Sequence, residues 1–168
     1  MNFTLYTANC VGNPQNNLYP NRLVISNADD MRAAVAYDHV SAEFRNSRRN
    51  NYDFLSSDNI PMDCDNDHSD EPSDWVTPLE VAMAYPGVEF VVVYSRNNML
   101  PKSGKPARPR FHVYFPTQPI TDSAEYTALK KRIAAEFPYF DKNALDSARL
   151  LFGVQNPQVE IYNGDMSI

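Results

Sequence analysis

Strand-like and helix-like segments alternate along this chain, which predicts a mixed sheet of the α/β or α+β kind. The expected class is α+β, with a mixed or antiparallel sheet and flanking helices. Two further observations support this. Glu89 to Ser95 (EFVVVYS) is almost continuously apolar and rich in β-branched and aromatic residues, as a strand covered on both faces requires. Thr77 to Glu80 and Asp122 to Glu125 both have capping-box spacing, which marks helix starts. With 43% hydrophobic and 12% aromatic residues, 168 residues can bury one real core, so a single domain over residues 1–168 is expected.

In chain order, Arg22 to Ser26 reads as a short strand. Asp29 to Phe44 reads as a helix capped by Asn27, with Met31, Ala34, Val35 and Val40 spaced for one apolar face. Asn46 to Tyr52 is a polar, basic connection, and Asn59 to Cys64 is a strand that runs into an acidic cluster. The helix that Thr77 opens has proline at its first position and should reach about Tyr85, where Pro86 ends it. Glu89 to Ser95 should be a central strand. Arg96 to Pro109 holds Gly104 and several prolines and must be a loop. In Arg110 to Phe115, Phe111, Val113 and Phe115 point one way, and Arg110, His112 and Tyr114 the other. The helix from Asp122 carries Tyr126, Leu129, Ile133 and Phe137 as a stripe, and Pro138 closes it. A last stretch runs from Asn143 through Leu151 to Gly153.

The net charge of −6 argues against a protein that coats nucleic acid through bulk electrostatics, since phosphate binding needs clustered Lys and Arg. The distribution is more informative than the sum. Seven acids and no base lie between Asp58 and Asp74, and five bases and no acid lie between Arg96 and His112. An acidic patch suits divalent cations and a basic one suits phosphates, so the pair fits a metal-nucleotide site. Cys10 and Cys64 form no CxxC pattern and no basic-then-apolar leader is visible, so a reducing cytoplasm is the expected setting. No apolar run approaches the roughly 20 residues a bilayer crossing needs, and no membrane partner is expected.

Asp63 and Asp65 stand two residues apart at a strand end, so both side chains leave the same face and can serve one pair of metal ions. Carboxylate oxygens are natural ligands for magnesium or manganese, and two such ions suffice for phosphoryl chemistry. Three spaced elements then resemble the archaeo-eukaryotic primase superfamily, in order. They are Asp63 and Asp65 in SDNIPMDCDNDHS, His112 in ARPRFHVYFP, and Asp146 followed by Arg149 in LDSARLLFG, and together they span roughly residues 54 to 153. YSRNNM also looks like the primase-polymerases of plasmids, phages and integrative elements.

The resemblance implies a catalytic part over about residues 56–168 whose sheet is like an RNA-recognition motif. An N-terminal α/β part would occupy about residues 1–55. It implies template-directed addition of NTPs or dNTPs to a 3′ hydroxyl, on a single-stranded DNA template with a primer. Asp63, Asp65 and Asp146 would hold two magnesium or manganese ions and act with His112 in catalysis. His112, Arg110, Lys105, Arg108 and Arg149 would bind the nucleotide, and Arg96, Lys102 and Arg48 the nucleic acid. The family often has a small serine two residues before its histidine, where this chain has Arg110. Such cores are usually joined to further domains, so a fragment of a longer protein with a helicase or accessory priming domain is expected, serving a mobile element.

Three other readings compete. Asp63, Asp65, Asp67, Ser69, Glu71 and Asp74 fall at the ligand positions of a calcium-binding EF-hand loop, but His68 stands where glycine is needed and the preceding segment reads as strand. A non-catalytic replication-initiator module that binds nucleic acid has no use for clustered negative charge facing phosphate. A nuclease shares the two-metal logic and is told apart by its products. Individually, Asp146 also suits a helix cap, His112 a hydrogen-bonded structural histidine, and Asp67 and Asp70 a solvated surface. Asp38 and His39 match no motif.

Overall fold

The strand read at Arg22 to Ser26 has a partner that the sequence did not reveal. In the computed structural model, which describes residues 1–168, β1 (Phe3–Thr7) pairs antiparallel with β2 (Asn21–Ile25). The helix that follows is shorter than expected. α1 (Ala28–Val35) begins under Asn27, whose side chain accepts the N–H groups of Asp29 and Asp30. It stops eight residues later, and the chain returns as β3 (His39–Val40) and β4 (Ala42–Phe44).

The expectation of a helix to Phe44 is therefore corrected, and the cause is tertiary. β3 pairs with the other edge of β1. The carboxylate of Asp38 just before it accepts N–H groups from Gly12 (2.7 Å), Asn13 (2.8 Å) and Gly153 (2.8 Å). Val40, Ala42 and Phe44 are buried alternately in a small core with Tyr19, which is strand periodicity.

The larger sheet has the order β4-β5-β7-β6-β8, with β5 (Phe54–Cys64), β6 (Phe90–Tyr94), β7 (Phe111–Ile120) and β8 (Val159–Tyr162). All of its strand pairs are antiparallel, which settles the sheet type. β5, β6, β7 and β8 alternate with α2 (Pro78–Ala84) and α3 (Ser123–Glu136) in a β-α-β-β-α-β succession. β7, not the expected Glu89 to Ser95 strand, holds the middle. β6 lies one place over, between β7 and β8.

The alternation read in β7 holds. Phe111, Val113 and Phe115 enter one core with Ile60, Met62, Val92 and residues of α2 and α3. Tyr114, Val91 and Val93 face the other way, onto Phe3 and Leu5 of β1 and Met31 of α1. β6 is thus covered on both faces, as its composition requires. At the joint between the sheets, Asp58 accepts the Thr4 N–H and the Asn59 amide donates to the Thr4 carbonyl, both at 2.8 Å.

α2 opens with the expected capping box: the Thr77 hydroxyl accepts the Leu79 N–H, and Glu80 reaches back to the Thr77 N–H at 2.7 Å. Thr77→Ala should lower stability by about 1 kcal/mol, seen as a reduced urea midpoint at unchanged slope. In α3, the stripe Tyr126, Ile133 and Phe137 is buried as read, but Lys130 is fully buried beside it. No helix is long and apolar enough to cross a membrane.

Candidate active site

The register of β5 against β7 sets Asp63 directly across from His112. A cross-strand pair shares a face, and here it is the face of Tyr114 rather than that of the Phe115 core. Tyr114 is roofed by β1, while Asp63 and His112 open into a cleft of about 320 Å³. Asp65, Arg96, Lys102, Asp146 and Arg149 also line this cleft. Residues far apart in the chain, which the sequence singled out separately, are thus brought to one place.

Asp63 is the centre of charge. His112 Nε2 lies 2.7 Å from one carboxylate oxygen, and Arg149 donates to the other at 2.6 Å. Burial alone would raise the Asp63 pKa, but the charges and hydrogen bonds of His112 and Arg149 overcome this and hold it well below the usual carboxylate range. Its counterpart Arg149 is pushed up by Asp63 against the opposing effect of burial. Asp65, half-buried, receives Lys102 at 2.8 Å.

The far wall is a segment with little regular structure, from a single 3-10 turn at Lys142–Ala144 to Gly153. It is positioned by clamps from several elements. Lys130 of α3 donates to the carbonyls of Ala144 (2.7 Å) and Asp146 (3.3 Å). Burial lowers its pKa to about 8, with Asp146 and Asp63 opposing. Arg49 donates to the Ala148 carbonyl at 3.0 Å and itself lines the cleft. His39 exchanges backbone hydrogen bonds with Leu151, and Asp38 holds the Gly153 N–H. Asp38 and His39, which match no motif, prove to be fasteners of this wall. Lys130 was missed too, because a lone base in a helix carries no local signal of burial, and Arg49 was read only as a loop base that could touch a template strand.

His39 is itself buried, with its Nε2 2.7 Å from the Tyr114 hydroxyl and its Nδ1 2.9 Å from the Tyr37 carbonyl. Burial lowers its pKa to about 4, although the Tyr37 carbonyl partly opposes the shift. An unfolded histidine takes its proton near pH 6.5, so His39 favours the fold fully above that pH and progressively less as pH falls toward 4. Native stability should decline by on the order of 3 kcal/mol across this window. In urea titrations from pH 7 to 4.5, His39→Gln should flatten the decline; an equally steep fall would remove His39 as its source.

The other residues singled out in the sequence lie elsewhere. Arg108 is fully buried, donating to Asp70 at 2.5 Å and to the carbonyls of Asn66 and Ser69. Lys105 pairs with Asp67 at 3.3 Å. Arg110 is buried and donates to the carbonyls of Leu100 (2.7 Å) and Asn97 (3.2 Å), with its Nε 3.8 Å from Asp65. It thus shapes the turn that carries Arg96 and Lys102. Arg48 reaches only Asn17 and does not line the cleft.

The acidic run is no calcium loop. It follows an 11-residue strand, and Asp70, Asp67 and Asp74 are engaged by Arg108, Lys105 and Ser69.

Asp63, Asp65 and Asp146 offer only carboxylate oxygens to one cleft, the donor chemistry that hard divalent cations require. In the present arrangement Arg149 and His112 hold the Asp63 oxygens, Lys102 holds Asp65 and Asp146 accepts the Ala148 N–H at 3.0 Å, and no three acidic, histidine or cysteine side chains converge on one point. Asp146 is the readiest donor, since no base is paired with it, whereas at Asp65 the half-exposed Lys102 has to yield and Arg110 stands 3.8 Å away. The residue types fit such an ion by exchange with these cations.

No protein-family model matches the chain. No curated protein matches it either. Among solved structures, the chain is similar to the AEP domain of the cyanophage S-2L primase-polymerase. The TM-score is 0.49 and the identity 16%, with 96% of this chain and 81% of that one covered.

Proposed function

We propose that this chain is a nucleotidyltransferase of the primase-polymerase type, adding nucleotides to a 3′ hydroxyl on a single-stranded DNA template. The observation that carries the reading is the cleft itself. It places an i, i+2 carboxylate pair, a cross-strand histidine and the loop acid Asp146 against Arg49, Arg96, Lys102 and Arg149. Carboxylates beside a cationic wall suit a reaction that needs a divalent ion and a polyphosphate together.

Asp63, Asp65 and Asp146 would hold magnesium or manganese, which when bound would activate the attacking hydroxyl and neutralise the leaving pyrophosphate. The chain's own residues bind and orient. Arg149 and Lys102, paired with Asp63 and Asp65, are freed for phosphate oxygens when the carboxylates take other partners. His112, kept in place by Asp63, presents its ring at the cleft, and its buried Nδ1 has no protein partner. Arg108 and Lys105 act indirectly in this reading, by holding the acidic loop.

The test is extension of a labelled primer on single-stranded DNA with magnesium or manganese, comparing the native chain with Asp63→Ala plus Asp65→Ala. Extension lost in the double variant supports the reading. Shortened strands would make the protein a nuclease. Metal and nucleotide binding without extension would make it a binding module.

A further inference from the structure

Most cations of the cleft are already engaged. Arg149 is paired with Asp63, Lys102 with Asp65, and Arg49 with the Ala148 carbonyl. Arg96 differs: its guanidinium makes no hydrogen bond or ion pair, yet it is held. Its central carbon lies 4.0 Å from the centroid of the Phe152 ring. On Gly12, a methyl group would stand 3.2 Å from Arg96 Nη1. Gly12 has φ +73°, so the backbone itself can approach the guanidinium where a side chain would both crowd it and strain the turn.

Both contacts trace to one buried carboxylate. Asp38 accepts the N–H groups of Gly12 and Asn13 on one side and of Gly153, next to Phe152, on the other. A single hub therefore sets the ring and the glycine turn that meet Arg96. A flexible arginine that is ordered before its ligand arrives loses less freedom on binding, and one without an acidic partner need break no ion pair.

We propose that Arg96 is a pre-positioned phosphate-binding residue of this cleft, with Phe152 as the positioning residue that keeps it available. This rests on the nucleotidyl-transfer reading above, and the phosphate belongs either to the incoming triphosphate or to the nucleic-acid backbone. Phe152 touches no phosphate; it acts through Arg96.

The experiment is titration calorimetry with two probes, inorganic triphosphate with magnesium and a single-stranded oligothymidylate. The proteins are the native chain, Arg96→Ala, Arg96→Lys, Phe152→Leu and the double variant Arg96→Ala plus Phe152→Leu. Arg96→Ala should weaken one probe about tenfold, and the probe that suffers identifies the phosphate. Arg96→Lys, which keeps the charge without the planar stack, should fall between. Phe152→Leu should weaken the same probe roughly threefold in the native background and not at all in the Arg96→Ala background.

Arg96→Ala affinities within about twofold of native for both probes would overturn the proposal while leaving the reading of the cleft intact. An equal Phe152→Leu effect in both backgrounds would overturn the positioning role. A native chain that binds neither probe would overturn both readings.

Discussion

Replacing Asp63 by Asn should reduce primer extension on the order of 10³-fold while the chain stays folded. The substitution is nearly isosteric and removes a charge that does three things at once. It is an oxygen donor of the cleft, the anchor of His112 at 2.7 Å, and the counter-charge of Arg149 at 2.6 Å. Asn keeps one acceptor, so geometry is largely retained, but imidazole and guanidinium lose the anion that orients them. Single-turnover extension at saturating nucleotide separates this from a binding defect, because the loss should fall on the rate. A rate within a few-fold of native would take Asp63 out of the chemistry.

The largest effect on stability is expected at Asp38. Its carboxylate is fully buried and satisfies three backbone N–H groups from two distant segments. Asp38→Ala leaves all three donors without a partner, at a cost of about 3–5 kcal/mol. Asp38→Asn keeps the shape and one acceptor, so it should cost roughly half as much. Urea unfolding of the two variants beside the native chain checks the order. An alanine variant within about 1 kcal/mol of native would show that water satisfies those donors instead.

How much was legible in the sequence depended on whether the signal was local. The strand residues Val91 to Val93, the alternation through Phe111, Val113 and Phe115, and the caps at Asn27, Thr77 and Asp122 are all local, and each was readable. Asp63 and Asp65 were readable as an i, i+2 carboxylate pair at a strand end, whereas His112 was singled out by the resemblance and not by its place on a strand. Arg96, Lys102, Asp146 and Arg149 were named on weaker grounds and line the same cleft.

The misreadings share a cause. β1 and β8 contain mixed apolar and polar residues whose partners lie elsewhere in the chain, and the overlong helix came from letting Val40 extend the stripe of Met31, Ala34 and Val35. Arg108 and Arg110 look like free cations in the sequence, but are buried because the acidic loop and the carbonyls of Asn97 and Leu100 receive them. Charge alone does not say which partner a base will meet.

The clamps on the far wall also bear on how fast this site can come into being. Asp63 to Arg149, Arg49 to Ala148 and Asp38 to Gly153 join residues 86, 99 and 115 positions apart. Closing such long loops costs entropy before any contact is rewarded, and chains dominated by distant pairings fold slowly. The sheet hairpin of β6 and β7 can form early from nearer neighbours, whereas the wall can dock only when the segment up to Gly153 has reached it. A refolding chain should therefore recover strand structure first and the assembled cleft last. A chain still emerging from the ribosome, with Gly153 not yet free, would possess Asp63 and His112 and still have no cleft.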